Sequence, residues 1–547
     1  MASTHDVFNQ PEPLLDVNLF EAHAAMRDAL SLHAPDLDTS ALRALGQRLG
    51  TADMQTQARL ANVHGPQLRT HDRCGHRIDE VEFHPAYHAL MAAAVEAGLH
   101  GTPWGRPAGS HAHLERAAGF MLFTELEAAV LCPVSMTYAA TPALRASPAL
   151  HAAWAPGLMS RAYDPSPRHG PFKPGLTMGM GMTEKQGGSD VRANTTRAEP
   201  DGTDEWGQRL RVTGHKWFFS APQSDAHLVL AQTASGLSCL FLPRVLPDGR
   251  RNAVRVQRLK DKLGNRANAS AEVEFEGATA WLVGEEGRGV PQILAMGTMT
   301  RLDCALGTSG LMRQALSLAL DHCRQRQAFG RPLVEQPLMR NVLADLALEA
   351  EAACALALRL ARVFDRPGDP HEAAMARLLT PVAKFWICKR GAAFAQEAME
   401  CVGGNGYVEE GGHGLMARIY REMPVNSIWE GAGNVMALDL LRALRKPEAV
   451  AALDDELRLA RGADPALDRL IDRLPGRAGP LVDEAQARGL AQDIALALQA
   501  ALLWRGSPPE VAASFCASRV AGEGGQVFGT LPAGLPLDDL IARAMPR

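Results

Sequence analysis

The chain has 547 residues, 46% of them hydrophobic and 21% charged, with a formal net charge of −5 at pH 7. That length exceeds one ordinary domain, the composition is that of a globular protein with ample core, and the mildly acidic balance excludes a chain drawn to nucleic acid or membrane by bulk charge alone. Nine scattered cysteines, an odd number, suit a reducing cytoplasm and not a disulfide framework.

At the N-terminus, "MASTHDVFNQPEPLL" has neither a basic n-region nor an apolar h-region, so no secretory signal is expected. No apolar run reaches the roughly 18 residues of a membrane span, and no membrane partner is expected. From about residue 15 to about residue 160, apolar side chains recur at helical spacing, as in "LFEAHAAMRDALSLHA" and "LERAAGFMLFTELEAAVLC". This predicts an N-terminal α-helical domain over 1–175. Within it "HDRCGHRIDEVEFHPAYH" gathers His71, Cys74, His76, His84 and His88, but the spacing fits no standard metal site, and no metal is expected. The Pro/Gly-rich "YDPSPRHGPFKPG" (Tyr163–Gly175) reads as a linker.

Over 176–287 the texture changes. "QRLRVTG", "HLVLAQT", "LSCLFLP", "AVRVQRL" and "SAEVEFEGA" are short β-type runs bounded by turn formers, which predicts a small β-barrel or sandwich. Long Ala/Leu-rich helices return over 288–445 as a bundle, some apolar nearly all round. A further all-α block is appended over 446–547. The fold class is therefore α+β, in the order α, β, α, α.

Common motifs exclude several chemistries. No GxGxxG opens a βαβ unit, and Walker A, HExxH, CxxC and GxSxG are all missing. Four stretches remain. In "MTEKQGGSDV" (Met182–Val191), Gly187 and Gly188 let the backbone approach a ligand, and Thr183 and Ser189 can donate to phosphate or carbonyl oxygens, although such a run is also an ordinary polar loop. In "GHKWFFSAPQSDAH" (Gly214–His227), a flat ligand could stack on Phe218 with the Ser220 hydroxyl at its edge; consecutive aromatics also make plain core. Arginines in "RQRQAFGRPLVEQP" (Arg324–Pro337) could neutralise a pyrophosphate. Finally "MECVGGNGYVEE" leads to "NSIWEGAGN" (Asn426–Asn434), where Glu430 stands just ahead of Gly431 and Gly433. An acid there suits a helix N-terminus as well as a catalytic role.

Taken in order, these stretches resemble the acyl-CoA dehydrogenase superfamily: "TE…GSD", "K.WIT", "KLG.R" (here within "KDKLGNRANASAEVEFEGA"), "R..FG.PL", "GG.GY" and "EG". The resemblance runs from about Glu115 to about Leu444. "MTEKQGGSD", "HKWFFS", "REMPVNSIWEG" and the extra C-terminal block resemble its AidB-like, alkylation-response branch. The resemblance implies FAD as cofactor and an oxidoreductase acting on CH–CH bonds: a base takes the α-proton of an acyl thioester while hydride leaves the β-carbon for the flavin. Glu430 falls at the base position, where burial beside apolar groups would raise its pKa and usefulness. Met182, Thr183, Gly188 and Ser189 fall at flavin-loop positions, and Phe218, Phe219 and Ser220 at the flavin-edge turn. Phe218 stands where the family has tryptophan, with Trp217 one residue off. Arg326 and Phe329 match positions that reach the FAD of a neighbouring subunit, which implies a homotetramer; Gln336 is one residue short of the family's glutamine register. Ile428, Trp429, Gly431 and Asn434 match the segment beside the flavin. Ser189 and Arg301 match positions near an acyl-CoA substrate, but Thr298 replaces the family's aspartate and Glu400 its frequent glutamine, so the acyl group is not named.

The branch implies a second reading: a DNA-binding stress protein in which flavin is structural or deactivates alkylating agents. Residues 446–547 hold 11 Lys/Arg against 14 Asp/Glu, a net −3, whereas "RVLPDGRRNAVRVQRLKDK" (Arg244–Lys262) is +5. At most, weak and sequence-independent duplex DNA binding is expected, and the basic stretch is equally a solvated strand edge.

Overall fold

A computed structural model describes residues 4–477 and 483–546; residues 478–482 and 547 of the last block lie outside it. The chain forms two compact units, one of Met1–Gln55, Ala108–Leu126 and Cys304–Arg547, the other of Thr56–Pro107 and Glu127–Asp303.

The second unit is organised by strands rich in branched and aromatic residues. A hairpin, β1 (Gln67–His71) and β2 (Arg77–Glu82), precedes β3 (Met178–Thr183), β4 (Arg197–Asp204), β5 (Gly207–Ser220), β6 (Ala226–Thr233), β7 (Gly236–Pro243), β8 (Val254–Leu259) and β9 (Ser270–Val283). The sheet order is β3-β5-β4-β6-β7-β9-β8, with further pairings β3–β6 and β5–β9. Those extra pairings close β3, β5, β9, β7 and β6 into a ring. Of the two architectures expected for this region, the barrel is the one formed. Val212, Phe219, Val229, Leu240, Val273 and Phe275 fill it.

Two features depart from expectation. The β1–β2 hairpin lies inside the region expected to be helical: the five residues of β1 alternate between exposed and half-buried, and Leu68 packs against the barrel core, so a strand partner overrides helical propensity. The Tyr163–Gly175 stretch is not a loose connector. Lys173 is buried and its Nζ lies 2.5 Å from Asp225, whose other oxygen accepts from Thr177 N at 2.8 Å. In the histidine-rich stretch, His84 caps the helix Pro85–Glu96 and His88 Nδ1 lies 2.9 Å from the Tyr163 hydroxyl.

The first unit is helical. Its central helices, Pro337–Arg362, Pro370–Val402 and Ala487–Gly506, are buried over much of their surface. The block past Lys446 is all-α and packs within this same unit. Arg359, fully buried, donates to both oxygens of Glu456 (3.0 and 2.8 Å) and to Glu372 (2.9 Å), and Arg505 adds a third donor to Glu456 at 3.0 Å. Trp386 Nε1 donates to Gln499 at 3.0 Å, and Arg543 to Glu351 at 2.9 Å.

Burial alone would raise the pKa of Glu456; the hydrogen bonds and charge of Arg359, helped by Arg505, outweigh it and hold the carboxyl at about 2. Its stabilisation is therefore complete above the unfolded carboxylate pKa of about 4.3 and is lost as pH falls through about 2. Glu456→Gln is expected to cost about 3 kcal/mol at neutral pH. Urea midpoints should show the gap to wild type narrowing as pH falls from about 5 towards about 2; a pH-independent gap would contradict this account.

Candidate functional site

The barrel unit carries the first set of candidate residues. Across the antiparallel β3–β5 pair, Thr183 is the register partner of Phe218 and Met180 of Ser220, with a bulge between. The strand pleat turns Phe218 and Ser220 away from Phe219. Phe218 is 49% exposed and Ser220 partly so, whereas Phe219 is buried in the barrel, stacked on His227 at 4.1 Å. Phe219 can therefore offer a ligand only its backbone. Trp217, one residue earlier, lies under Lys260, whose Nζ is 3.3 Å from the ring centroid and 4.8 Å from that of Phe218.

Between β3 and β4 the loop is ordered by a side chain that sequence reasoning passed over. Glu184 is fully buried, and Lys216 of β5, also fully buried, donates to it at 2.8 Å. Glu184 also accepts from Thr195 N (2.7 Å) and Oγ1 (3.0 Å), from Thr196 N (3.1 Å) and from Gln186 Nε2 (2.8 Å). Burial opposes ionisation, but the ammonium and the amide donors outweigh it and hold the carboxyl well below its ordinary range. Met182 and Thr183 are half-buried, while Gly188 and Ser189 are exposed at the loop crest. A Cβ on Gly188 would sit 2.4 Å from Thr183 Oγ1, so only glycine leaves that hydroxyl in place. Arg301 is half-buried on the helix Gly289–Gln325, and the Thr298 hydroxyl is used on Leu294 O at 3.0 Å.

The helical unit carries the second set. β10 (Gln327–Ala328) and β11 (Arg331–Pro332) form a two-residue hairpin with Phe329 at φ +52° and Gly330 at φ +79°. Both signs match the turn that follows the natural strand twist, yet a phenylalanine there is strained. Its ring is 98% exposed. Arg326 at the hairpin root bonds Asn9 O; Asn9 also exchanges two hydrogen bonds with Gln327, at 2.9 and 2.8 Å. Gln336 braces the hairpin by donating to Ala328 O (2.9 Å) and accepting from Arg331 Nε (3.1 Å).

Glu430 lies in the turn between the helices Leu415–Asn426 and Gly433–Leu444. It is half-buried and adopts φ +59°, followed by Gly431 at φ +108°. Ile428 is exposed; the Trp429 indole donates to Asn426 Oδ1 at 3.1 Å. Asn434 is exposed in the first turn of a helix whose N-cap, Ala432, supplies no side-chain acceptor. Lys384 of the helix Pro370–Val402, missed by sequence reasoning, donates to Trp429 O (2.9 Å) and Gly431 O (2.5 Å). Nothing in "PVAKFWICK" marks that lysine out from its neighbours.

Each unit carries groups that suit part of a flavin dinucleotide: in the barrel unit an exposed aromatic ring is paired with a hydroxyl and glycine gives close backbone approach, and in the helical unit an arginine and an uncapped helix N-terminus suit phosphate.

Three family models match the chain: Adaptive response protein AidB N-terminal domain over residues 9–165, the acyl-CoA dehydrogenase middle domain over 179–278 and the acyl-CoA dehydrogenase C-terminal domain over 287–445. AidB of Escherichia coli (strain K12) is 51% identical over 526 residues, 95% of each chain. Among solved structures, Caenorhabditis elegans ACDH-11 in complex with C11-CoA superposes with a TM-score of 0.84 at 27% identity, covering 95% of this chain and 94% of that one. Bd2924 in its apo form superposes with a TM-score of 0.82 at 32% identity, covering 91% and 99%.

Lys216→Met is expected to strand the Glu184 charge inside the barrel wall, at a cost of about 3–5 kcal/mol. The amides of Thr195 and Thr196, which donate to that carboxylate, should lose hydrogen-exchange protection ahead of the β6–β7 amides. Unchanged protection in the variant would show that the ion pair does not hold the loop.

Proposed function

The chain belongs to the acyl-CoA dehydrogenase family, on its AidB branch, and from that membership we propose an FAD-dependent oxidoreductase acting on the CH–CH bond of an acyl-CoA-type substrate, with Glu430 as base. The family's enzymes are FAD-dependent flavoproteins. When bound, FAD supplies the acceptor for the hydride that leaves the β-carbon.

The observation that carries this reading is the backbone at Glu430. A glutamate held at φ +59° costs conformational energy, on the order of 1–3 kcal/mol, and such strain gathers where a side chain must be aimed. The half-buried carboxylate takes the α-proton on one of its oxygens. In the barrel unit Thr183 and Ser220 offer hydroxyls to a flavin ring, Phe218 a face for stacking, and Met182, Gly188 and Ser189 the loop beside it; in the helical unit Ile428, Trp429, Gly431 and Asn434 form the segment that family membership assigns to the flavin. Ser189 and Arg301 are directed to the acyl-CoA; the C11-CoA complex of ACDH-11 supports that substrate class. Arg326 and the exposed Phe329 are offered to a neighbouring subunit in a homotetramer. All nine cysteines are free thiols, eight of them buried, which supports a cytoplasmic protein. Among the described residues no helix is long and apolar enough to cross a membrane.

A second reading, weak duplex DNA binding, is favoured by one observation. Arg469 and Arg473 stand one turn apart and exposed on the helix Pro465–Arg477, while Arg477 pairs with Asp493, so the net −3 of that block hides a short basic ridge. The basic stretch Arg244–Lys262 is less available: Arg250, Arg251, Arg255, Arg258 and Lys260 pair with Asp248, Glu80, Glu276 and Glu272.

Purified protein is expected to carry FAD, and Glu430→Gln to keep it while slowing anaerobic flavin reduction by acyl-CoA by about 10²–10⁴-fold, since the amide cannot take the proton. A colourless wild type that takes up no FAD, or an unchanged rate in the variant, would overturn the assignment. For the second reading, log K for a labelled duplex should fall linearly with log salt, and Arg469→Ala with Arg473→Ala should flatten the slope by about 0.9 for each phosphate no longer neutralised. A slope unaltered by the pair of substitutions would remove the ridge from consideration.

A further inference from the structure

Lys384 is only 1% exposed, one of the largest side chains that the fold buries completely. A lysine in that position ordinarily faces a carboxylate. This ammonium instead faces two main-chain carbonyls, those of Trp429 and Gly431, at 2.9 and 2.5 Å. They are the carbonyls on either side of Glu430. The amides of Ser427, Ile428 and Trp429 close back onto Pro424 and Val425, and the next helix opens with Met436 N on Ala432 O. Trp429 O and Gly431 O fall between these two hydrogen-bond runs, and Lys384 satisfies them.

The consequence is geometric. Two carbonyls two residues apart, both pointing at one ammonium, pin the peptide planes that enclose the pair Glu430–Gly431, the 429–430 plane ahead of it and the 431–432 plane behind it. Within that pair Glu430 takes φ +59° and Gly431 φ +108°. Released, a glutamate returns to negative φ, which swings its Cα–Cβ bond away. We propose that Lys384 is a positioning residue for Glu430: its charge-assisted bonds hold the backbone in the left-handed turn and so set where the carboxylate stands. Lysine suits the task, having three rotatable donors on a flexible stem and no planar fork to align. Gly433 marks how tightly this helix meets the turn, since a Cβ there would lie 2.8 Å from Lys389 Cε.

The proposal rests on the reading of Glu430 as base, and its test separates the two. A melting-temperature cycle on apoprotein compares wild type, Lys384→Met, Glu430→Gly and the double variant. In wild type, losing the clamp lets Glu430 leave the strained turn and recovers that strain, whereas glycine takes positive φ without strain and has none to recover, so Lys384→Met should lower the melting temperature clearly more in the Glu430→Gly background than in wild type. Equal losses in both backgrounds would show that the lysine merely satisfies carbonyls, and would overturn the proposal. If Lys384→Met does not accumulate as folded protein, Lys384→Gln, whose amide can still donate to one carbonyl, takes its place in the same cycle, with the larger loss in the Glu430→Gly background supporting the proposal and equal losses overturning it. In the FAD-loaded protein, with butyryl-CoA, isovaleryl-CoA and undecanoyl-CoA as probes, Lys384→Met should slow flavin reduction at saturation by about 10–100-fold with little change in half-saturating concentration, because misaim affects the proton transfer and not binding. Added to Glu430→Gln it should cost nothing further. If Glu430→Gln is itself without effect, the base assignment fails and the melting cycle still decides the clamp. If Glu430→Gln abolishes reduction and Lys384→Met leaves it unchanged, the clamp fails alone.

Discussion

Burying a charge obliges the surrounding chain to meet it, and this obligation shapes the barrel from Glu184 outward. Once that carboxylate is inside, Lys216 must face it from β5, and the amides of Thr195 and Thr196 must turn inward from the far end of the loop. The loop between β3 and β4 is thereby closed at its base. What remains for its crest, Gly188 and Ser189, is exposure on a foundation that cannot slide. A hydrophobic pair of the same volume would pack as well, but it would not specify which amides point inward. The helical unit repeats the device at larger scale, with Arg359 joining Glu372 and Glu456 so that the last helical block is tied to the bundle by ions.

Nine non-glycine residues take positive φ among the described residues, and three of them stand at or beside a candidate site residue. Ala221, directly after Ser220, takes φ +51°; Phe329 takes +52° and Glu430 +59°. Each lies at or beside a residue with a candidate role, and each is braced: Ala221 N by Ala269 O at 3.1 Å, the Phe329 hairpin by Gln336 and Asn9, the Glu430 turn by Lys384. Conformations that a side chain resists persist only where neighbours over-determine them.

The order helix, strand, helix was legible because period and composition change sharply near residues 176 and 288, and the barrel strands "HLVLAQT" and "LSCLFLP" could be read as short apolar runs bounded by turn formers. The β1–β2 hairpin was not, because its alternation is short and lies among Ala-rich helices. The Tyr163–Gly175 stretch looked like a connector because turn formers dominate it; Lys173 and Asp225, 52 residues apart, meet only in the fold. The same limit governed the candidate site. Glu430, Thr183, Phe218 and Ser220 stand in local motifs that align by eye. Glu184, Lys216 and Lys384 act on segments distant in sequence, through contacts that no spacing encodes, and Gln336 looked misplaced until the hairpin it braces was visible.

The left-handed turn at Glu430 also bears on how the chain can drift. Glycine and asparagine occupy such backbone readily, and glutamate does so reluctantly. Random exchange at this codon is therefore biased towards residues that relax the turn and carry no acid. Conformational preference works against the glutamate, so in the proposed reading it is the work of its carboxylate that keeps it there. A descendant freed from acid–base work would be expected to surrender this residue early, before its core or its barrel changed, and a glycine or asparagine between "NSIW" and "GAGN" would date that loss in sequence alone.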